Sequence, residues 1–167
     1  EIAGAYRLGE VWRWQGQPKT KLYSHSLFNY QPSIQPLFAQ GLELGRSFVQ
    51  PQYWGLRSLD YLWQGIGAYL ASHPQVRYLF GPVSLSNNMP KPARDMLVHF
   101  YETHFADPDH FAVPAIPFVI DEDNASNFRQ HMPGLDFDKD HKWLRSQLGF
   151  MGLKIPTLFK QYADVCT

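Results

Sequence analysis

Cysteine is almost missing from this chain. The single one, Cys166, stands one residue from the end, so no disulfide can close within the chain, and so thiol-poor a sequence suits a reducing compartment, the cytoplasm. Net charge is missing as well: 15 Lys and Arg balance 15 Asp and Glu. No broad field of one sign is left to hold nucleic acid, and any anion site must be local. Long apolar runs are also scarce. The longest, Phe111 to Ile120, is interrupted by Pro114 and Pro117 and has about half of the ~20 residues that a spanning helix needs. The sequence opens on Glu1 and runs straight into β-forming residues, without the basic and apolar regions of a signal peptide, which reads as a piece cut from a longer protein. What the chain has is bulk. With 44% hydrophobic and 16% aromatic residues in 167, it can bury one substantial core, and a single domain over residues 1–167 is expected.

The order of elements follows from periodicity. Ile2 to Leu8 reads as a strand, the polar stretch Gly9 to Lys21 as a hairpin or loop, and Leu22 to Phe28 as a second short strand. In Leu42 to Val49, alternation puts Leu42, Leu44, Arg46 and Phe48 on one face and Glu43, Gly45, Ser47 and Val49 on the other. Leu56, Leu59, Leu62, Trp63, Ile66, Tyr69 and Leu70 then recur at three- and four-residue steps, which predicts an amphipathic helix over 55–72, ended by His73-Pro74. Val76 to Ser84 follows as an apolar strand. After Pro90 and Pro92 a helix is expected to bury Ala93, Met96, Leu97, Phe100 and His104 or Phe105. Strand, helix, strand, helix in that order implies a parallel pair and an α/β fold with helices packed on the sheet. Phe111 to Ile120 makes another strand, Asp121 to Lys142 is polar and turn-rich, and a last helix begins near Pro156.

The chemistry concentrates in Glu43-Leu-Gly-Arg-Ser-Phe-Val-Gln-Pro-Gln-Tyr-Trp-Gly-Leu-Arg-Ser58, a strand, a short turn and a helix start. A helix entered in this way offers unpaired N–H groups and its positive dipole end to a phosphate. Gln52 and Gly55 resemble the acyl-donor loop of the GCN5-related N-acyltransferase (GNAT) superfamily, written Arg or Gln, two residues, Gly, one residue, Gly or Ala. Arg57 replaces the last small residue, which disfavours the full pyrophosphate of coenzyme A and leaves room for the single phosphate of a carrier protein's phosphopantetheine. Nearly the whole chain is similar to the N-acyl amino acid synthase branch of that superfamily, which includes ornithine- and glycine-lipid N-acyltransferases and relatives called hemolysin-like. Ala3-Gly-Ala-Tyr-Arg7, Leu42 to Val49, Leu62-Trp-Gln-Gly-Ile66, Tyr78-Leu-Phe-Gly-Pro-Val-Ser84 and Ile155-Pro-Thr-Leu-Phe-Lys-Gln-Tyr162 fall in that family's order.

The resemblance implies a GNAT-like mixed central sheet with helices on both faces, truncated at both ends. It implies transfer of a long-chain, 3-hydroxy or plain, fatty acyl group from an acyl-carrier-protein or coenzyme A thioester to the amine of ornithine, glycine or a similar amino acid. No tightly bound cofactor and no metal are expected. The partners are an acyl carrier protein and the amino acid, in the cytoplasm, with peripheral contact at the inner membrane compatible with a lipid product. Glu43 and Arg46 look like the strand-borne pair of acyl-homoserine-lactone synthases. Glu43 is the candidate base. Arg46, expected on the opposite face of the strand, would order the site or bind the acceptor carboxylate. Backbone amides of Phe48, Val49 and Gln50 would stabilise the tetrahedral oxyanion, Gln52, Gly55, Arg57 and Ser58 would hold the donor, and Ser84 at a strand end would protonate the leaving thiolate.

Other readings carry less. His104-Phe-Ala-Asp-Pro-Asp109 matches the spacing of a glycerolipid acyltransferase motif with no other element of that family. Asp136 to Asp140 begins like a calcium loop, but His141 and Gln147 occupy its glycine and glutamate positions. Five tryptophans and nine tyrosines lie apart from clustered basic residues, so core packing and an acyl-chain tunnel explain them better than base stacking. Two alternatives stand beside the long-chain transferase: a non-catalytic module that binds an acyl carrier protein or lipid, and an acetyl-coenzyme A-dependent acetyltransferase.

Overall fold

The computed structural model describes residues 1–14 and 22–166. Most of the expected Gly9–Lys21 loop, from residue 15 onward, lies outside the described residues. The chain divides into two compact units, Glu1–Pro82 with His110–Ile116, and Val83–Asp109 with Pro117–Thr167.

The first unit holds β1 (Gly4–Glu10), β2 (Phe28–Tyr30), the single turn of helix α1 (Gln35–Phe38), β3 (Gly41–Val49), α2 (Ser58–Ala71), β4 (Tyr78–Phe80) and β5 (Ala112–Pro114). Its main sheet runs β1-β3-β4, with β1 antiparallel and β4 parallel to β3. This is the mixed sheet that the resemblance implies, with the parallel β3-α2-β4 pair that the element order predicts. β2 and β5 form a separate antiparallel ribbon. The expected strand over 111–120 shrinks to β5 because Pro114 and Pro117 cannot donate to a ladder. The strand expected over 76–84 shrinks to β4 for a related reason: Pro82 follows Gly81, and Gly81 sits so close to β3 that a Cβ there would lie 1.9 Å from the Leu44 carbonyl oxygen. The strand expected at Leu22–Phe28 is a 3-10 turn, Tyr23–Ser26, followed by β2.

Helix α2 starts three residues later than the apolar pattern suggests. Gly55 has φ +77, a left-handed conformation that no helix passes through, and the helix can begin only beyond it. The helix ends at Ser72, whose hydroxyl donates to the Tyr69 carbonyl at 2.8 Å. One face of the main sheet meets α2, where Tyr6 of β1 packs edge-on against Trp63 at 6.3 Å. Leu42 and Leu44 of β3 are fully buried, and Phe38 stacks on Phe80 at 5.1 Å in a small cluster with Val11, Leu22 and Ile34.

The second unit is helical: α3 (Lys91–His104), α4 (Glu122–His131), α5 (Phe137–Phe150) and α6 (Thr157–Cys166). Its core joins Ala93, Met96, Leu97 and Phe100 of α3 to Phe128, Met132, Leu144, Leu148 and Ile155. The two middle helices replace the expected polar, turn-rich segment. Both are polar over most of their surface, but Asp121 is followed by acidic Glu122 and Asp123, and Arg129 and His131 close α4, a charge order that suits the helix dipole. Asp136 caps α5 by accepting from the Lys139 amide at 3.1 Å. Two buried carboxylates fasten this unit. Asp95 accepts from Lys91 Nζ at 3.0 and 3.1 Å and from Asn124 Nδ2 at 3.0 Å. Asp140 meets His104 Nε2 at 2.9 Å and accepts from the Gly134 amide at 2.8 Å, so His104 is partnered across the helices and not by the Asp109 of its sequence motif. Among the described residues no helix is long and apolar enough to cross a membrane.

Two outcomes are expected. Gly81→Ala forces a methyl group into the Leu44 carbonyl, and the unfolding free energy should fall by about 1–3 kcal/mol in a denaturant titration. His141 stacks on Phe137 at 5.6 Å; burial, then Arg145 and Lys160, hold its pKa below the ordinary histidine value against weaker opposition from Asp138 and Asp164. The neutral form is therefore the folded one. Stability from this site is full above about pH 6.5 and is lost as the pH falls below it, when the unfolded chain takes up the proton first. His141→Phe should flatten the loss of α5 amide protection between pH 7 and 5, measured by hydrogen exchange.

Candidate active site

Glu43 is the third residue of β3 and has no solvent exposure. A carboxylate there must be paired or protonated, since an isolated buried charge is prohibitive. Four donors meet it. Arg7 of β1 forms an ion pair with Oε2, the Tyr23 amide donates to Oε2 at 3.2 Å, and Ser24 donates to Oε1 from both its amide, at 2.8 Å, and its hydroxyl, at 2.6 Å. The 3-10 turn Tyr23–Ser26 is thereby fixed on the face of the sheet opposite α2. Tyr30 of β2 lies beside this network: burial raises its pKa, the Ser24 hydroxyl works against the rise, and Glu43's charge adds to it.

The strand does not alternate regularly beyond this point. Ala5 faces Phe48 and Arg7 faces Gly45, so Arg46 and Ser47 together oppose Tyr6 in a β-bulge. Arg46 has φ +52, where a bulge of this kind favours glycine, and a non-glycine residue held there costs about 1–2 kcal/mol. The bulge corrects the simple alternation that placed Arg46 away from Glu43. Both side chains meet Tyr23, Glu43 at its amide and Arg46 over its ring at 4.7 Å. No ion pair joins Glu43 to Arg46.

β4 pairs with β3 only from Gly41 to Glu43. From Gly45 to Val49 no strand among the described residues pairs with β3 on that side. The Gln50 amide donates to the Ala3 carbonyl at 2.8 Å, which commits this expected oxyanion donor to the sheet. By the two-residue alternation of the ladder beyond the bulge, the Phe48 amide also faces β1, and the Val49 amide faces the open side. Of the three amides expected to meet the oxyanion, that of Val49 is the one left facing away from β1.

Beyond the strand, the Trp54 indole donates to the Val49 carbonyl at 2.8 Å and ties the loop back onto it. The side chains of Gln50 and Gln52 reach the first residues of the chain, Gln50 donating to the Ile2 carbonyl and Gln52 to Glu1. Gly55 makes the turn, and Ser58 opens α2, its hydroxyl 3.4 Å from the Tyr53 carbonyl. Arg57 is 71% exposed at the helix entry, 3.5 Å from Asp60 and over the Tyr61 ring at 5.8 Å. Ser84 is four residues beyond the end of β4, exposed and in the second unit, so it is not the strand-end residue of the sequence reading.

Strand, bulge, open edge, glycine turn and helix start come in one continuous order. Residues 1–64 match the model of the acetyltransferase (GNAT) domain. Over 176 aligned residues the chain is 32% identical to the glycine N(alpha)-acyltransferase of Phocaeicola vulgatus, an alignment that takes in 99% of this chain and 53% of that protein. The glycine N(alpha)-acyltransferase of Bacteroides thetaiotaomicron is likewise 32% identical, over 99% of this chain and 52% of its own length. The L-ornithine N(alpha)-acyltransferase of Brucella abortus is 30% identical over 118 residues, 70% of this chain and 41% of that protein. The chain belongs to the GNAT family. It spans about half the length of the curated relatives it matches, and no solved structure matches it.

In this GNAT chain the sequence reading found β3 and its loop but missed what faces them. Arg7, Tyr23, Ser24 and Tyr30 surround Glu43, and only Arg7 left a signal, as the cation closing Ala3-Gly-Ala-Tyr-Arg7. The residues of the turn are brought to Glu43 by tertiary structure alone. Because every acceptor position of Glu43 is filled, its replacement should be felt by the fold. Glu43→Gln puts an amide N–H₂ among donors, and the unfolding free energy should fall by about 2–4 kcal/mol in a denaturant titration. An unchanged midpoint would mean that Glu43 does not hold the turn.

Proposed function

We propose that this chain is the catalytic part of an N-acyltransferase that moves a long fatty acyl group from a thioester to the amine of an amino acid, glycine and ornithine being the acceptors named for its relatives. The observation that carries the proposal is the open edge of β3. There the Val49 amide faces away from β1, on the side where β4 no longer pairs, the natural place for a thioester carbonyl whose oxygen gains charge as the amine attacks. The loop through Gly55 to Ser58 lies at the end of the same strand, where the donor's phosphate would meet the first turn of α2.

Within this proposal Glu43 is reassigned. Its acceptor positions are occupied, and at about 3.3 Å per residue the Val49 amide lies roughly 20 Å along the strand. Direct proton transfer from an amine held there would not span that distance, and we assign Glu43 instead to holding Arg7 and the Tyr23–Ser26 turn in place. Arg46, held over Tyr23 at the bulge and exposed, is the better candidate for the acceptor carboxylate. We assign the donor to an acyl carrier protein, because Arg57 takes the place of a small residue at the loop's end, and we place the reaction in the cytoplasm with peripheral membrane contact for the lipid product.

The test is a chain-length series with acyl-carrier-protein and coenzyme A thioesters, run on the full-length protein with glycine and with ornithine, reading free thiol and the mass of the product. Each buried methylene contributes about 0.8 kcal/mol, so transfer should climb several-fold per two carbons until the slot is full. A preference for acetyl-coenzyme A over every long carrier-bound chain would turn the protein into an acetyltransferase, and thiol release without an N-acyl product would end the amine-acceptor assignment.

A further inference from the structure

The charges of the chain cancel overall but are not evenly spread. From His141 to Ala163 the sequence holds Lys142, Arg145, Lys154 and Lys160 and no Asp or Glu. All four cations are exposed, and none of them forms an ion pair among the described residues. Earlier cations of the second unit are taken: Lys91 by Asp95 and Asp121, Arg129 by Glu122 and Lys139 by Asp136. Lys142 and Arg145, three residues apart, share the outer face of α5, opposite buried Leu144 and Leu148. Lys160 of α6 lies close enough to α5 to act on His141 together with Arg145; Asp138 and Asp164, which border the segment, act there more weakly.

The same stretch carries apolar side chains that the core does not use. Phe150 is 81% exposed and its neighbour Met151 40%. The helix does not fray here. Gly152 has φ +70, its amide donates to the Gly149 carbonyl at 3.0 Å, and the Leu153 amide donates to the Leu148 carbonyl at 2.8 Å. These are the two bonds that close a helix at a left-handed glycine. A finished helix end therefore holds Phe150 out in solvent, between Arg145 and Lys154 in the sequence.

We propose that the outer face of α5, with Lys154 and Lys160, rests on an anionic lipid surface, its cations at the headgroups and Phe150 and Met151 in the boundary beneath them. The inference rests on the peripheral membrane contact proposed above and supplies its surface. A protruding ring beside unpaired cations suits a partner that is negative outside and apolar within, and binding of this kind grows with both the buried apolar area and the attraction to anionic lipid. A second copy of the chain would bring like charges together. A protein partner would need a pocket shaped to Phe150, whereas a bilayer takes the ring without one.

The experiment sediments the full-length protein with vesicles of phosphatidylcholine alone or mixed with an equal part of phosphatidylglycerol, for wild type, Phe150→Ala and the double variant Lys142→Gln/Arg145→Gln. Wild type should prefer the mixed vesicles, and the preference should shrink as salt rises. At about fivefold per cation the double variant should bind roughly 25-fold more weakly, and loss of the buried ring should cost roughly tenfold. All three side chains are exposed, so their replacement leaves the core as it is. Wild-type binding in both variants would place the membrane contact elsewhere and overturn this assignment. Equal binding of wild type to both vesicles would remove the role of charge and overturn it as well. No binding to either vesicle would overturn it together with the membrane contact proposed above. Binding of acyl carrier protein in place of vesicles, lost in the double variant, would give the patch to a protein partner and overturn the lipid assignment. Vesicle binding needs no turnover, so each of these failures is distinct from a failure of the acyltransferase reading.

Discussion

A buried carboxylate organises the first unit. Glu43 brings one negative charge to the centre of the sheet, and the only way to keep it ionised is to surround it with donors. Those donors come from two places in the sequence, β1 through Arg7 and the turn through Tyr23 and Ser24, and Tyr30 of β2 is near enough for Glu43's charge to raise its pKa. Removing the charge would leave two N–H groups, a hydroxyl and a guanidinium without their acceptor. The sheet and the turn are therefore one electrostatic assembly, although the turn shares no ladder with β1 or β3.

Chemistry and architecture meet where this order stops. β3 is paired on both sides up to Glu43 and on one side beyond it. The close seat of Gly81 on the Leu44 carbonyl ends β4 just where the open edge begins, and the bulge at Arg46 then re-aims the strand. The bulge holds a cation in a backbone conformation that a glycine would occupy without cost, and such strain persists where the surroundings demand it. Here the ring of Tyr23 beneath the guanidinium is part of that demand.

Much of this was legible in the sequence, for physical reasons that differ from one element to the next. β3 and α2 were readable because each carries one dominant period, and the Leu-Glu-Leu-Gly-Arg string marked the family. The bulge was not, since two-residue alternation contains no sign of an extra residue when arginine stands where glycine is usual. α4 and α5 were hidden because each buries few residues, Ala125 and Phe128 in one and Leu144 and Leu148 with Asp140 in the other, and the apolar stripe falls below what a polar helix lets one see. Asp95 escaped notice too, as a charged residue on the apolar face of α3. The roles of Tyr23, Ser24 and Tyr30 depend on contacts across 13 to 20 positions, which no local pattern encodes.

The span of the Glu43 contacts has a consequence for how the chain reaches this state. Its hydrogen bonds close loops of 19, 20 and 36 residues at once, and the entropy of those closures must be met before the interactions reward it. Until β1 and the turn have both arrived, the carboxylate gains nothing by leaving water, so a half-formed sheet would hold an unpaired charge and dissolve again. Assembly around Glu43 is consequently all-or-none. The residue acts as a proofreader of the folding pathway, rejecting any register of β1 against β3 that does not bring a guanidinium to its side.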